Sequence, residues 1–450
     1  MCCATKAWLT MVFVAYAFLL TTRLHFTYSM MVMMVEPLVA GPADREPCPD
    51  AEVQVSQNST VGVAKRLNWT PRQQAAAMGA YFIGTLVSAF PVGVYSSMGH
   101  ERSILLWCVA VTAVTAALVP VAAIQYDSWM TVTFLRFLQG CAFGPSGPCG
   151  GTLAGKIIPR SKSSLYSTCM FSGTLFGGFT GNLFSGVFIP HVSHYGSHIA
   201  LTMFGLAWAA TWMTMVHWTP YDRAADADDS GPTTFLSTPW AVMLRSGPYI
   251  ALLFASLGHG YLYGFITTGL PIYGVKVLGL DAMKNGIQVS IPWLICWTTS
   301  ILAGVSAISL TNADTIKKTT IRKWYAAIVL IGSPLMLMGA VVADCNRFIV
   351  KSFMKMSVVL LGFERSSLRI NSLDLCPRYA GCLIALCDVF YSLGNIMDSM
   401  IARNLFGDTI NWNVLFSLAI TLPIACSMLF IFFGSSKKQC WDQRYRRPST

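Results

Sequence analysis

Charge is scarce in this chain. Of its 450 residues only 11% are Asp, Glu, Lys or Arg, and 20 acidic side chains face 31 basic ones. An ordinary soluble domain carries about 25% charged residues, so with 54% hydrophobic residues and mean hydropathy +0.54 a soluble globular protein is excluded. The chain also lacks any basic stretch interleaved with aromatics, so its net charge of +11 does not read as a nucleic-acid footprint. Among fourteen cysteines there is no CxxC pair and no Cys/His cluster, and no metal site is expected. Most cysteines lie in apolar runs, where they act as small hydrophobes. Only Cys48 and Cys345 fall in loops expected outside, which allows at most one disulfide. No HExxH-like pair on a helix and no nucleophile with its base is visible, so neither an enzyme nor a cofactor is expected.

What is present is a series of apolar runs. The first continues past Arg23 to Ala40 without a small-residue cleavage site, and reads as one long span rather than a signal peptide. Spans follow at roughly 73–97, 103–125, 130–155, 165–189 and 197–218, then at roughly 247–273, 286–310, 323–343, 347–370, 379–403 and 411–434. The chain is therefore an all-α polytopic membrane protein: residues 1–218 form one six-helix bundle, 219–245 a polar linker, 246–436 a second bundle and 437–450 a basic tail. Two such sets around a hydrophilic middle suggest pseudo-symmetric halves. The loop 41–72 carries the N-glycosylation triplets Asn58-Ser59-Thr60 and Asn68-Trp69-Thr70. Lysine and arginine gather in the opposite loops and the tail, which puts both termini in the cytoplasm.

The rare charges within spans are the first functional candidates, because a charge at membrane depth is costly and usually faces a water-filled interior. Arg136 lies in WMTVTFLRFLQGCAFGPSGPCGGTLAGK at 129–156, sharing a helix face with Gln139, Phe143 and Gly147. The competing reading is a snorkelling arginine, since it lies only about 10 Å into its helix. In the tenth span Arg347, Lys351, Lys355, Arg365 and Arg369 fall within an arc of about 80° on a helical wheel, with Glu364 nearly opposite. Either this stripe lines an aqueous anion path or its ends merely anchor the helix. His259 lies between glycines in SLGHGYLYGF, as a ligand contact or a packed core histidine. Asp388 and Asp398 either pair with cations or carry protons. Asp374 and Arg378, at i and i+4 near Pro377, suggest a cytoplasmic gate pair or an ordinary loop ion pair.

The chain resembles the anion/cation symporter branch of the major facilitator superfamily, which includes vesicular glutamate transporters, sialin and sodium-phosphate cotransporters. The resemblance rests on Arg23, on NWTPRQQAAAMGAYFIGTLVSAFPVGVY at 68–95, LRFLQG at 135–140, TTIRK at 319–323, NSLDLCPRYAG at 371–381 and KQCW at 438–441. It implies twelve transmembrane helices in the major facilitator fold, alternating access, and a cavity lined by helices one, four, seven and ten. It further implies secondary transport of a small organic or inorganic anion across the lipid bilayer. Arg23 and Arg136 would bind substrate, with His259, Arg365, Lys355 and Gln139 beside them. Guanidinium pairs with carboxylate or phosphate in bidentate fashion, which suits that role. A monomer in the plasma membrane or an endolysosomal or vesicle membrane is expected.

The departures are specific. The glutamate that follows LRFLQG in many relatives, implicated in proton coupling, is Phe143 here; their helix-two histidine aligns with Met78; the glutamate transporters' helix-seven arginine aligns with His259. The acidic loop motif after helix two, VYSSMGHERS here, lacks its aspartate. Either coupling to H+ or Na+ has moved to Glu364 or Asp388, or the protein is a uniporter, a channel-like conductor or a transport-deficient receptor on the same fold.

Overall fold

The computed structural model describes residues 3–33, 67–158, 163–218, 238–278, 282–313, 316–404 and 412–439. Asn58 and Cys48 lie outside these residues. Asn68 is exposed just ahead of the second helix, and Cys345 is disulfide-bonded.

The first span is a single helix, α1 (Cys3–Met33), with Arg23 in its second half. α2 (Pro71–Tyr95) is started by a capping box. The Gln73 amide donates to Thr70 Oγ1 at 3.3 Å and the Thr70 amide to Gln73 Oε1 at 2.8 Å, which satisfies two amides at the helix start. α2 turns into α3 (Glu101–Pro120) through Gly99, whose φ of 106° is open to glycine at little cost. The fourth span is broken at Gly144-Pro145 into α4 (Trp129–Phe143) and α5 (Ser146–Ile157). α6 (Ser163–Phe171) leads into α7 (Gly173–Trp218), helical over 46 residues. His25 hydrogen-bonds to both Ser185 at 3.1 Å and Ser197 at 3.0 Å. A straight helix would separate those serines by about 18 Å, so α7 folds back on itself between them and supplies two spans without leaving helical hydrogen bonding.

After the short α8 (Trp240–Met243), α9 (Gly247–Gly264) and α10 (Leu270–Lys276) form the seventh span around a π-helical turn at Phe265–Gly269. α11 (Ala282–Asn312) is the eighth, and α12 (Lys318–Ala327) with α13 (Ser333–Val342) the ninth. The tenth runs from α14 (Arg347–Leu360) through a 3₁₀ turn at Leu361–Glu364 and a π turn at Arg365–Arg369 into α15 (Ile370–Leu375). α16 (Ala380–Asn404) and α17 (Trp412–Phe433) complete the chain. Eight stretches of the described residues are helical, long and apolar enough to cross a membrane, and the one from Arg72 to Gln125 is long enough for two passes. The fourth, fifth and tenth spans miss that measure; the fourth and tenth are interrupted and carry arginines.

The core clusters are centred on the halves but reach across: Val94 and Leu175 join that of the second half, and Leu373, Ala380 and Ile384 join one of the first. Trp8, Val109, Phe171 and Trp212 lie in one cluster of the first half, and Phe26, Met30 and Trp69 in another. Tyr249, Phe265, Leu330, Leu361 and Trp412 belong to that of the second. The halves touch along α7 and α11, where Phe176 packs on Trp297 at 5.1 Å. They also touch where α2 and α5 meet α16: side chains at Gly93 and Gly151 would strike Ala385 and Ile384. This second contact lies toward the end of the molecule where α1 begins and α17 finishes, here called the terminus end.

Among the described residues, Glu101 and Asp374 each anchor an ion-pair group at that end. Lys156 of α5 holds Glu101 of α3 at 2.7 Å. In the second half the charges are exchanged: Arg322 and Lys318 of α12 hold Asp374 of α15, Arg322 at 3.0 Å. Beyond α17 the chain lies over these helix ends. Ser436 donates through Oγ to Asn371 at 2.8 Å and through its amide to Thr319 at 3.2 Å, and the Gln439 amide donates to Leu375 O at 3.3 Å.

Candidate functional site

Between the halves lies a cavity of about 50 Å³, lined from the first half by Arg23, Phe143 and Gly147 and from the second by His259, Tyr263, Glu364, Arg365, Arg369, Asp388 and Tyr391 among others. That is room for about four water molecules.

Arg23 stands on α1 with 6% of its surface exposed. Its guanidinium carbon lies 5.4 Å from the Tyr81 ring, 4.6 Å from Phe82 and 5.9 Å from Tyr263, the last belonging to the opposite half. Arg136 is buried behind it and does not line the cavity. Its guanidinium lies 4.0 Å from the Phe26 ring and 4.7 Å from Tyr81, and Nη1 donates to Gln139 Oε1 at 2.7 Å. Tyr81 thus serves two cations. A desolvated cation over an aromatic face gains about 2 kcal/mol, which offsets part of the cost of burying guanidinium. Among the described residues no ion pair joins Arg23 or Arg136 to a carboxylate. Close approach of α2 and α4 brings Tyr81 to this place: Thr85 Oγ1 reaches Gly140 O at 3.3 Å, and a side chain at Gly140 would collide with the Tyr81 carbonyl.

The second half presents its cations differently. Arg365 Nε lies 2.9 Å from Glu364 Oε2, and Arg369 Nη1 donates to Asp388 Oδ1 at 2.6 Å. Above them His259, Tyr263 and Tyr391 form an aromatic group with ring centroids 5.4 to 5.9 Å apart.

Several expectations need correction. Glu364, placed opposite the cationic stripe by a uniform wheel, lines the cavity beside Arg365, because the 3₁₀ and π turns over 361–369 abandon the α-helical spacing on which the wheel depends. Lys355 does not reach the cavity; it is exposed on α14. Gln139 holds Arg136 and has no place on the cavity wall. Asp374 pairs with Arg322 and Lys318, not with Arg378, whose guanidinium lies over Tyr379 at 5.6 Å. The helix ends at Cys376 in extended backbone, so positions 374 and 378 are no longer one turn apart. Sequence reasoning missed Tyr81, Tyr263 and Tyr391, and Arg322, which is 1% exposed. The tyrosines carry no signal of their own among 16; Arg322 lay within the TTIRK motif.

A family model described as Major Facilitator Superfamily matches residues 17–397. The chain belongs to this superfamily. Its relatives in the anion/cation symporter branch, the group resembled by its motifs, are distant. A Drosophila melanogaster protein named as an inorganic phosphate cotransporter is 26% identical over 98% of this chain and 87% of its own length. Sialin of Ovis aries is 25% identical over 87% of this chain and 80% of its own length. Vesicular glutamate transporter 2 of Mus musculus is 23% identical over 84% and 67%. As a major facilitator the chain is an integral membrane protein whose two bundles enclose the cavity described above.

Proposed function

We infer that this protein is a secondary active transporter of small anions, working by alternating access of its two bundles. The observation that carries the reading is Arg23: an arginine in the interior cavity, stacked on aromatic rings from both halves and joined to no carboxylate among the described residues. An anion entering the cavity supplies the missing countercharge, and Arg365 faces it from the other half. Arg136 acts from behind, adding positive potential and holding Tyr81 between the two cations. The small volume favours a compact oxyanion such as inorganic phosphate or a short carboxylate. The names of its relatives, a phosphate cotransporter, sialin and a glutamate transporter, support the same class.

The remaining assignments belong to this reading. The bundles are joined by the linker 219–245, the terminus end faces the cytoplasm, and Asn58 and Asn68 are glycosylated on the other side. The contacts of α2 and α5 with α16, with the ion pairs nearby, close the cytoplasmic exit. The test is uptake of labelled phosphate, glutamate or sialate into proteoliposomes. Arg23→Ala abolishes uptake while the purified variant unfolds at the wild-type temperature. Undiminished uptake in that variant removes the site, and a wild type that moves none of these anions removes the function.

A further inference from the structure

The two ion pairs in the cavity differ in kind. Glu364 and Arg365 are chain neighbours with side chains each 7% exposed. Arg369 and Asp388 come from different helices, both line the cavity, and their side chains are more open, at 17% and 11%. Arg369 spends Nη1 on Asp388, and its buried Nε has no hydrogen-bond partner. A guanidinium with donors to spare therefore stands at the wall of an anion cavity. The pair also touches the opposite half. A side chain at Gly147 would strike Asp388 Oδ2 and come within 3.2 Å of Arg369 Nη1, and Arg369 lies over the Phe171 ring at 5.5 Å.

We propose that Asp388 is the proton site of the transport cycle, and that the substrate oxyanion and the Asp388 carboxylate compete for Arg369. This rests on the anion-transport reading above. In the empty cavity the carboxylate neutralises Arg369. When an oxyanion enters, a hydronium ion on the open side gives up a proton, which forms an O–H bond at Asp388 and leaves water behind, and the neutral acid releases the guanidinium. Arg369 then turns Nη1 and Nε together onto the oxyanion, the bidentate grip to which its planar fork is suited. One negative and one positive charge have entered, so the cavity keeps its total charge while the pair pressed against Gly147 and Phe171 comes apart. The first half registers that change directly, because its backbone and ring are the surfaces the pair rests on.

Other groups bear on Asp388. Arg365, Glu364 and Arg369 face it from the tenth span, Tyr16 from α1, Tyr249 from α9 and Cys387 from its own helix. His259 of α9 lies within reach of the same cluster. Tyrosine and cysteine ordinarily titrate well above neutrality, which leaves Glu364 and His259 as the rival proton acceptors.

Full-length protein in proteoliposomes with labelled inorganic phosphate tests this. Wild type accumulates phosphate when the outside is acidified. Asp388→Asn, which imitates the protonated acid, brings the ratio of gradient-driven uptake to counterflow at equal pH down to about one, whereas His259→Gln and Glu364→Gln, whatever their absolute rates, keep that ratio at the wild-type value. The proposal is overturned if Asp388→Asn still follows the proton gradient, or if it loses counterflow while unfolding at the wild-type temperature. Should that variant fail to assemble, Asp388→Glu must shift the external-pH midpoint of uptake; an unmoved midpoint is equally fatal. A wild type that performs counterflow but ignores the gradient removes the proton site and leaves anion transport standing. Absence of counterflow with phosphate, glutamate and sialate removes both.

Discussion

The two halves of the molecule hold buried arginine by opposite means. In the first, Arg23 and Arg136 lean on Phe26, Tyr81, Phe82 and a tyrosine from across the cavity. In the second, Arg365 and Arg369 are each held by a carboxylate. A ring face steadies a cation without cancelling its charge, so the first half keeps its attraction for an incoming anion. A carboxylate does cancel it, so the second half yields its arginines only when something displaces or protonates the acid. In the proposed cycle the first half binds the anion and the second exchanges its partner.

The largest test of this contrast lies at the terminus end. Asp374→Asn strands Arg322, which is 1% exposed, and removal of one partner from a buried pair costs about 3–5 kcal/mol. Its counterpart Glu101→Gln strands Lys156, whose side chain is 36% exposed and can turn to water, at a cost nearer 1 kcal/mol. Thermal unfolding of both variants in one detergent measures the gap, and equal losses would mean that the halves are locked alike. Next in size is Arg23→Lys. An ammonium keeps the charge but lacks the planar face that stacks, so phosphate uptake falls about tenfold. Arg365→Lys loses less, because Glu364 accepts either cation, and the reverse order of the two variants would erase the distinction between ring-held and acid-held arginine. Tyr81 sharpens it further: Tyr81→Phe keeps the shared ring and stays within about twofold of wild-type uptake, whereas Tyr81→Leu raises the KM for phosphate by several times that factor. The smallest effect is expected from Lys355→Ala, exposed on α14 and away from the cavity, with uptake changed by less than about twofold.

The all-helical architecture and the burial of Arg23, Arg365, His259 and Asp388 inside the protein were legible from hydropathy and from the rarity of charge, since both follow from what a bilayer tolerates. Local departures from the α-helix were not. Glu364 changed sides because the backbone from Leu361 to Arg369 is wound first tighter and then looser than an α-helix, and nothing in LGFERSSLR announces that. The partner of Asp374 came from another helix, 52 residues earlier, whereas helical spacing sees only the same turn. Tyr81 was invisible for a related reason: its role comes from the close approach of α2 and α4 at Gly140, a property of two helices together.

The stretch after α17 has a practical meaning for anyone handling the protein. Ser436 and Gln439 join the ends of α12 and α15, next to the acid that holds Arg322. Fluorescent fusions and affinity handles attached before Gln439 would pry at those joints, while the same appendage placed after that glutamine, on a spacer, leaves them intact.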